Sequence, residues 1–262
     1  MTAPDVVGEI WRAEAARLVA GLARMTRDVG LAEDLAQDAL VSALEQWPER
    51  GVPDNPGAWL MAVSKRRAVD HLRRAARLRS VAPYLAAEAV VPDLDAAVDH
   101  IEDDVLRLMF VACHPLLTRE TRVALTLRLV GGLSTREIAR AFLSTEPTVA
   151  QRISRAKRTL ASAAVPFEVP SGPERPERLA SVLEVVYLVF NEGYAATAGD
   201  DWLRPALCDE ALRLGSLLAS LAPREPEVHG LLALMRLQAS RGPARVGAGG
   251  EPVLLRDQDR SR

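Results

Sequence analysis

The chain has 262 residues, a length that suits two or three small modules better than one compact helical unit. Apolar residues make up 48% and aromatic residues only 4%, and Ala, Leu and Val supply most of the apolar share, which predicts an all-α fold. The net charge of −2 excludes a general attraction to nucleic acid, so a DNA-binding surface must be local. Two distant cysteines exclude a disulfide framework, and no run approaches the ~20 apolar residues of a membrane span, so we expect a cytoplasmic protein.

Three helices are predicted in an N-terminal module, residues 1–80. The first covers residues 6–26, where apolar side chains recur at helical spacing. The second begins after Asp28, a good N-cap, and is expected to end at Trp47 and Pro48. The third begins at an Asp-Asn-Pro sequence, residues 54–56, and is expected to end near residue 78.

The second helix has a polar face that bears no basic residue. The face consists of Glu33, Asp34, Gln37, Asp38, Ser42 and Glu45. Such a surface repels DNA, which favours a protein partner with a complementary basic surface. An ordinary solvated helix face is the alternative.

The third helix is strongly basic, with a single acid, Asp70, among its charges. The basic residues are Lys65, Arg66, Arg67, Arg73, Arg74, Arg77 and Arg79. This density of positive charge attracts phosphates. In the preceding loop, residues 48–56, the side chains of Asp54 and Asn55 are candidates to hydrogen-bond a base extruded from the duplex. Capping the helix is the alternative role for either residue.

Two further modules follow. Residues 81–100 are acidic, contain two prolines and lack Lys and Arg, which indicates a linker. Residues 101–165 form a middle module of four predicted helices, covering 101–113, 119–130, 135–142 and 146–163. A proline-rich linker, residues 166–178, leads to an extension of antiparallel helices, residues 179–262. Its final segment, residues 242–262, has little apolar periodicity.

The last two helices of the middle module have the spacing of a helix-turn-helix. Ser134 and Glu137 match a capping box, and the next helix begins after Thr145, beyond a tight turn. The second helix has one apolar stripe, and its polar face carries groups suited to base edges and phosphates. The members of this face are Thr148, Gln151, Arg152, Arg155, Lys157 and Arg158. A solvated basic face on an ordinary helical hairpin is the alternative.

Six short segments, in order and spacing, resemble extracytoplasmic-function (ECF) sigma factors of RNA polymerase. Residues 32–40 (AEDLAQDAL), 56–60 (PGAWL) and 70–74 (DHLRR) resemble region 2 of that family. Residues 127–134 (LRLVGGLS), 137–139 (EIA) and 148–157 (TVAQRISRAK) resemble region 4. Pro147 and Ala150-Gln151 depart from many relatives, so the promoter sequence cannot be transferred from them.

The resemblance implies a role for each basic or acidic surface. Asp34, Gln37 and Asp38 would dock on the clamp helices of core RNA polymerase, and the acidic linker would thread towards the active centre. The loop and the basic helix would capture and melt the −10 promoter element, through Asn55, Lys65, Arg66, Arg67, Arg73 and Arg74. The polar face of the 146–163 helix would read the −35 element in the major groove.

The extension resembles that of a subgroup with C-terminal helices related to tetratricopeptide repeats. The similar segments are residues 187–194 (YLVFNEGY) and 210–214 (EALRL). The extension is usually longer in that subgroup, which is compatible with a truncated form here. We expect intramolecular regulation, in which these helices contact the sigma modules or polymerase and replace a separate inhibitor, with structural support as the alternative.

An enzyme is disfavoured because the four histidines and two cysteines form no recognisable catalytic or metal-binding motif. They are His71, His100, His114, His229, Cys113 and Cys208. No cofactor, small-molecule substrate or membrane partner is predicted. The competing function is a stand-alone helix-turn-helix regulator whose extension senses or dimerises, which leaves the charged helices of the N-terminal module unexplained.

Overall fold

The computed structural model describes residues 3–80, 101–195, 203–247, 251 and 253–259. The prediction of an all-α fold is confirmed for this part of the chain, and no helix in it is long and apolar enough to cross a membrane. The helices are α1 Ala3–Thr26, α2 Val29–Arg50, α3 Pro56–Ser80, α4 Ile101–Ala112, α5 Arg119–Leu129, α6 Thr135–Ala141, α7 Glu146–Ser162, α8 Glu174–Tyr194, α9 Pro205–Leu221, α10 Pro226–Ala239 and α11 Gly242–Arg245. The acidic linker and His100 lie outside the described residues.

In the N-terminal module, α1, α2 and α3 pack together through small side chains. Ala32, Ala36, Ala39 and Ala43 form a fully buried stripe along α2, at the spacing of one helix face. Alanine has little bulk, so α1 and α2 approach each other closely along this stripe. The predicted Asp28 N-cap is present, because its carboxylate accepts from the N–H of residues 30 and 31 at 2.7 and 3.0 Å.

The prediction that Trp47 and Pro48 end the second helix is wrong. α2 continues through Pro48 to Arg50 and ends at Gly51, whose N–H donates to the carbonyl of Trp47 at 2.9 Å. Pro48 removes one backbone hydrogen bond, but the Trp47 ring is buried and packs edge-on against Trp59 at 5.4 Å, which holds the last turn in place. Gly51 has a φ of 82°, a conformation that side chains disfavour, so the glycine ends the helix.

The proline-rich linker is shorter than predicted, because α8 begins at Glu174 rather than at residue 179. Pro173 lies at the N-cap and Pro176 in the first turn, where the missing N–H has no intrahelical partner to lose. The segment after α10 also has contacts: Arg245 stacks on the Tyr194 ring at 3.8 Å and donates to the Tyr194 carbonyl at 2.8 Å. α11 is thereby connected to the end of α8.

The three modules share one continuous hydrophobic core, with α4 at its centre. α4 packs against α1 of the N-terminal module and against α8 and α9 of the extension. Its Asp104 is 1% exposed and pairs with Arg24 of α1 at 3.0 Å and with Arg107 at 2.5 Å. The middle module therefore lies between the N-terminal module on one side and the extension on the other.

Candidate nucleic-acid interface

The helix-turn-helix of α6 and α7 has the local structure that the sequence predicts. The Ser134 hydroxyl accepts from the Glu137 N–H at 3.2 Å, and the Glu137 carboxylate accepts from the Ser134 N–H at 2.8 Å, which completes the capping box. Thr145 caps α7 by accepting from the N–H of Thr148 at 3.3 Å. Between the helices, Leu143 has a φ of 47°, so the turn is tight and α7 projects away from α6.

The predicted apolar stripe of α7 is buried. It consists of Val149, Ile153, Ala156 and Leu160. The opposite face leaves Thr148, Gln151, Arg155 and Arg158 exposed, with Arg152 partly exposed. Five of the six residues predicted to read DNA therefore lie on an accessible surface.

Lys157, the sixth residue, is turned away from that surface and towards α2. Its ammonium donates to Glu33 at 2.8 Å and to Asp34 at 3.1 Å, and its side chain is 18% exposed. Burial disfavours the charged form, but the two carboxylates outweigh this effect and raise the pKa of Lys157 above its ordinary value. In this conformation the positive charge of Lys157 is paired with the carboxylates of Glu33 and Asp34 in the N-terminal module.

Glu33 belongs to the acidic face of α2 in sequence, yet it is buried between modules. It is 5% exposed and accepts from Arg128 of α5 at 2.5 Å as well as from Lys157. Burial raises its pKa, but the two cations outweigh burial and hold the pKa of Glu33 below its ordinary value. Sequence reasoning missed Arg128, since nothing in its local pattern indicates a partner 95 residues away.

Apart from Glu33 and Ser42, which are both 5% exposed, the acidic face of α2 is largely open to solvent. The side chains of Asp34 and Asp38 are 74% and 61% exposed, and Gln37 is partly buried. Two exposed apolar residues, Val41 and Leu44, lie on the following turn. Acidic and apolar groups together suit a protein partner better than a solvated face.

The basic surface of α3 is largely exposed. Arg66, Arg73 and Arg74 are solvent-facing, while Lys65 is partly buried. Arg67 differs from these, because it pairs with Asp38 at 3.1 Å and donates to the Ser42 hydroxyl at 2.9 Å. The side chains of Arg77 and Arg79 are outside the described residues.

Asn55 has the capping role that the sequence left open. Its side-chain oxygen accepts from the N–H of Ala58 at 3.0 Å, which fixes the first turn of α3. The residue is nevertheless exposed, next to the basic surface of α3. The contact between Asn55 and a base stays a prediction.

The described residues contain no group of three or more His, Cys, Asp and Glu side chains placed to hold a metal ion. Cys113 is fully buried beside Thr126, and burial raises the pKa of its thiol to about 11. His114 accepts from the N–H of Leu116 at 3.2 Å just after α4, and burial lowers the pKa of its ring. Both residues have structural contacts.

Three parts of the chain match protein families. Residues 10–78 match Sigma-70 region 2, and residues 107–160 match Sigma-70 region 4. Residues 178–262 match a family of unknown function (DUF6596). The likeness of the extension to tetratricopeptide repeats therefore stays a prediction.

Several curated proteins are similar to much of the chain. An uncharacterised protein of Rhizobium meliloti (strain 1021) is 46% identical over 91% of this chain and 58% of its own length. The probable ECF RNA polymerase sigma factor SigI of Mycobacterium tuberculosis is 31% identical over 67% of this chain and 61% of its own length. The chain thus spans about three fifths of these two relatives.

The ECF RNA polymerase sigma factor SigK of Mycobacterium ulcerans (strain Agy99) is 30% identical over 53% of this chain and 75% of its own length. No solved structure matches the chain. The two sigma regions, in the order and spacing of the charged helices described above, lead to one assignment. The chain belongs to the ECF family of RNA polymerase sigma factors.

Proposed function

We propose that this protein is a non-enzymatic subunit that binds core RNA polymerase in the cytoplasm and directs it to specific promoters. The observation that carries the proposal is the separation of two exposed surfaces of opposite charge on one chain. α2 presents acidic and apolar groups to a protein partner, whereas α3 and α7 present cations and amides to DNA. A stand-alone regulator has no use for the α2 surface.

In this proposal α7 reads the −35 element. Gln151, Arg152 and Arg155 can form bidentate hydrogen bonds with base edges in the major groove. Thr148 and Arg158, at the two ends of the same face, are placed to contact phosphates and set the register of the helix. Lys157 joins them only after its ion pairs with α2 are broken.

The N-terminal module captures the −10 element in the same proposal. Arg66, Arg73 and Arg74 hold the backbone of the promoter, and Lys65 and Arg67 extend this surface towards α2. Asn55, at the start of α3, is adjacent to the position where a base would leave the stack. Asp34, Gln37 and Asp38 of α2 bind the clamp helices of polymerase.

Run-off transcription with purified core RNA polymerase and a library of promoter fragments tests the proposal. We expect initiation from a defined subset of fragments, and only when the protein is added. The Arg155→Ala variant should weaken binding to the −35 element by about 1–3 kcal/mol if Arg155 contacts a base, or reduce the salt slope by about one unit if it contacts phosphate.

Arg224→Ala is the matched control, because Arg224 is an exposed arginine in the loop between α9 and α10. Equal output from wild type and Arg155→Ala would remove this arginine from the interface. Absence of initiation, together with absence of co-elution with core polymerase, would overturn the proposed function in favour of a stand-alone regulator.

A further inference from the structure

The recognition helix α7 lies directly against the polymerase-facing helix α2. Lys157 of α7 contacts both Glu33 and Asp34, at 2.8 and 3.1 Å. The backbones are also close: a Cβ atom placed on Gly30 would lie 3.7 Å from the Cβ of Lys157. The contact therefore covers Glu33 of α2 and most of Lys157 of α7, and it places α7 beside Asp34, which stays 74% exposed.

This contact joins two surfaces that the proposed function uses for different partners. Asp34 belongs to the surface assigned to polymerase, and Lys157 belongs to the face assigned to DNA. A cleft of about 610 Å³ continues the junction, with His71 of α3 on one side and Ser154 and Arg158 of α7 on the other. While the helices remain together, Lys157 cannot reach DNA, and α7 occupies the space beside Asp34 that a polymerase helix docked on α2 would need.

The middle module is also held on its other sides. The Trp11 ring N–H donates to the carbonyl of Gly132 at 3.1 Å, and Arg12 pairs with Glu137 of α6. A Cβ on Gly132 would lie 3.2 Å from Ala15 of α1, so α1 approaches the backbone before α6 closely. From the extension, Arg213 donates to the Val130 carbonyl at 3.0 Å.

We propose that this arrangement is the closed, resting form of the protein, in which Glu33 and Asp34 hold the recognition helix on α2 until core polymerase displaces it. The inference rests on the proposed function. The extension contacts the middle module from the opposite side, through Arg213 and Val130.

The exchange of partners makes opening feasible. A buried carboxylate that loses its cations is costly, but a basic polymerase surface offers new cations to the acidic face of α2. Lys157, once released, can pair with a promoter phosphate instead of a carboxylate. Because only open molecules bind polymerase, the apparent affinity equals the affinity of the open form multiplied by the fraction of molecules that are open.

Zero-length cross-linking of the native chain with a carbodiimide tests the displacement. The chain has only two lysines, Lys65 and Lys157, so lysine-to-carboxylate products are simple to assign by mass spectrometry. We expect the free protein to give a Lys157–Asp34 product and the polymerase-bound protein to lose most of it. An equal yield in both states would overturn the proposal, because the helices would then stay together on polymerase.

A disulfide across the junction tests occlusion directly. The Gly30→Cys/Lys157→Cys variant places two Cβ atoms at a separation that suits a disulfide. We expect it to oxidise readily. The oxidised form should bind core polymerase at least about tenfold more weakly than the reduced form, a difference of about 1.4 kcal/mol in binding free energy, and dithiothreitol should restore binding in full. Failure to form the disulfide, or equal binding by both forms, would contradict the closed state.

Two controls separate the outcomes. The single variants Gly30→Cys and Lys157→Cys lose the same native side chains but cannot be cross-linked within the junction, so oxidant should not change their binding. If the wild-type chain does not bind core polymerase at all, the proposed function fails. If the wild type binds and the oxidised double variant binds equally well, only the closed state fails.

Discussion

Two carboxylates, the buried Glu33 and the largely buried Glu210, lie on opposite sides of the middle module and differ in the direction of their pKa shift. Glu33, on the N-terminal side, has two cations from the middle module, Arg128 at 2.5 Å and Lys157 at 2.8 Å. Burial raises its pKa, but these cations outweigh burial and hold the pKa below the ordinary value of 4.5. Its charged form is thus favoured by the folded protein.

Glu210, on the extension side, has one close cation from its own helix, Arg213 at 2.8 Å. Burial raises its pKa above 4.5, and Arg213 and Arg12 do not offset this effect. One neighbouring arginine does not keep the pKa of Glu210 below 4.5, although the side chain of Glu210 is 13% exposed. Two cations from another module do keep the pKa of Glu33 below 4.5, although its side chain is only 6% exposed. The negative charge of Glu33 therefore stabilises the contact between the N-terminal and middle modules, whereas the negative charge of Glu210 lowers the stability of the folded protein.

The largest expected effect is that of Glu33→Gln. Removing one partner of a buried ion pair costs about 3–5 kcal/mol. We expect the lower end of this range because Lys157 would still pair with Asp34 and Arg128 would still donate to the Leu133 carbonyl. The free energy of unfolding, measured in urea, should fall by about 3 kcal/mol. Glu49→Gln, an exposed acid on the same helix, is the control and should stay within about 0.5 kcal/mol of wild type. Similar losses in both variants would contradict a special role for Glu33.

The long-range pairs of Glu33 are also what the sequence could not reveal. Local patterns predicted the Ser134 capping box, the Thr145 cap and the buried stripe of α7, because each depends on residues within one or two turns. The contact between Glu33 and Lys157 spans 124 residues, and no periodicity connects such positions. The pattern therefore assigned both residues to solvent-facing surfaces.

Helix ends were predicted less well where tertiary packing competes with local preference. Pro48 is a strong local stop signal, but the buried Trp47 keeps α2 helical to Arg50. The sequence pattern predicts a linker at Pro173 and Pro176, although proline is compatible with the start and the first turn of a helix, which is where both lie in α8. The exposed basic residues of α3 needed no tertiary information, since solvated charge clusters follow from composition alone.

Glu210→Gln should have a smaller effect of opposite sign. The variant removes the cost of burying a charge but also removes the partner of Arg213, so we expect an increase in the free energy of unfolding of less than about 1 kcal/mol near pH 7. Urea denaturation beside Glu33→Gln measures the sign directly. A loss of stability would mean that Glu210 and Arg213 stabilise the extension more than burial penalises them.

The pH dependence of these two variants follows from the direction of each shift. The stabilisation by Glu33 is complete above 4.5 and is lost as pH falls through its lower folded pKa. The penalty of Glu210 is complete above its raised folded pKa and disappears as pH falls to 4.5. As pH falls from about 7 to 4.5, the free energy of unfolding of the wild type should therefore approach that of Glu210→Gln. Over the same range, the difference in free energy of unfolding between the wild type and Glu33→Gln should stay constant. A shrinking Glu33 difference within this range would contradict the lowered pKa.

The smallest expected effect on stability is that of Asp38→Ala, one turn beyond Glu33 on the same helix. Asp38 pairs with Arg67 at 3.1 Å, a distance similar to those of Glu33, but the two side chains are 61% and 40% exposed. Water and salt screen such a pair, so its loss should cost only about 0.2–1 kcal/mol and less at high salt. Urea denaturation at low and high salt measures the change, and binding to core polymerase should fall in the same variant because the proposed interface loses a charge. A loss equal to that of Glu33→Gln would show that ion-pair distance, and not burial, determines what each acid of α2 contributes.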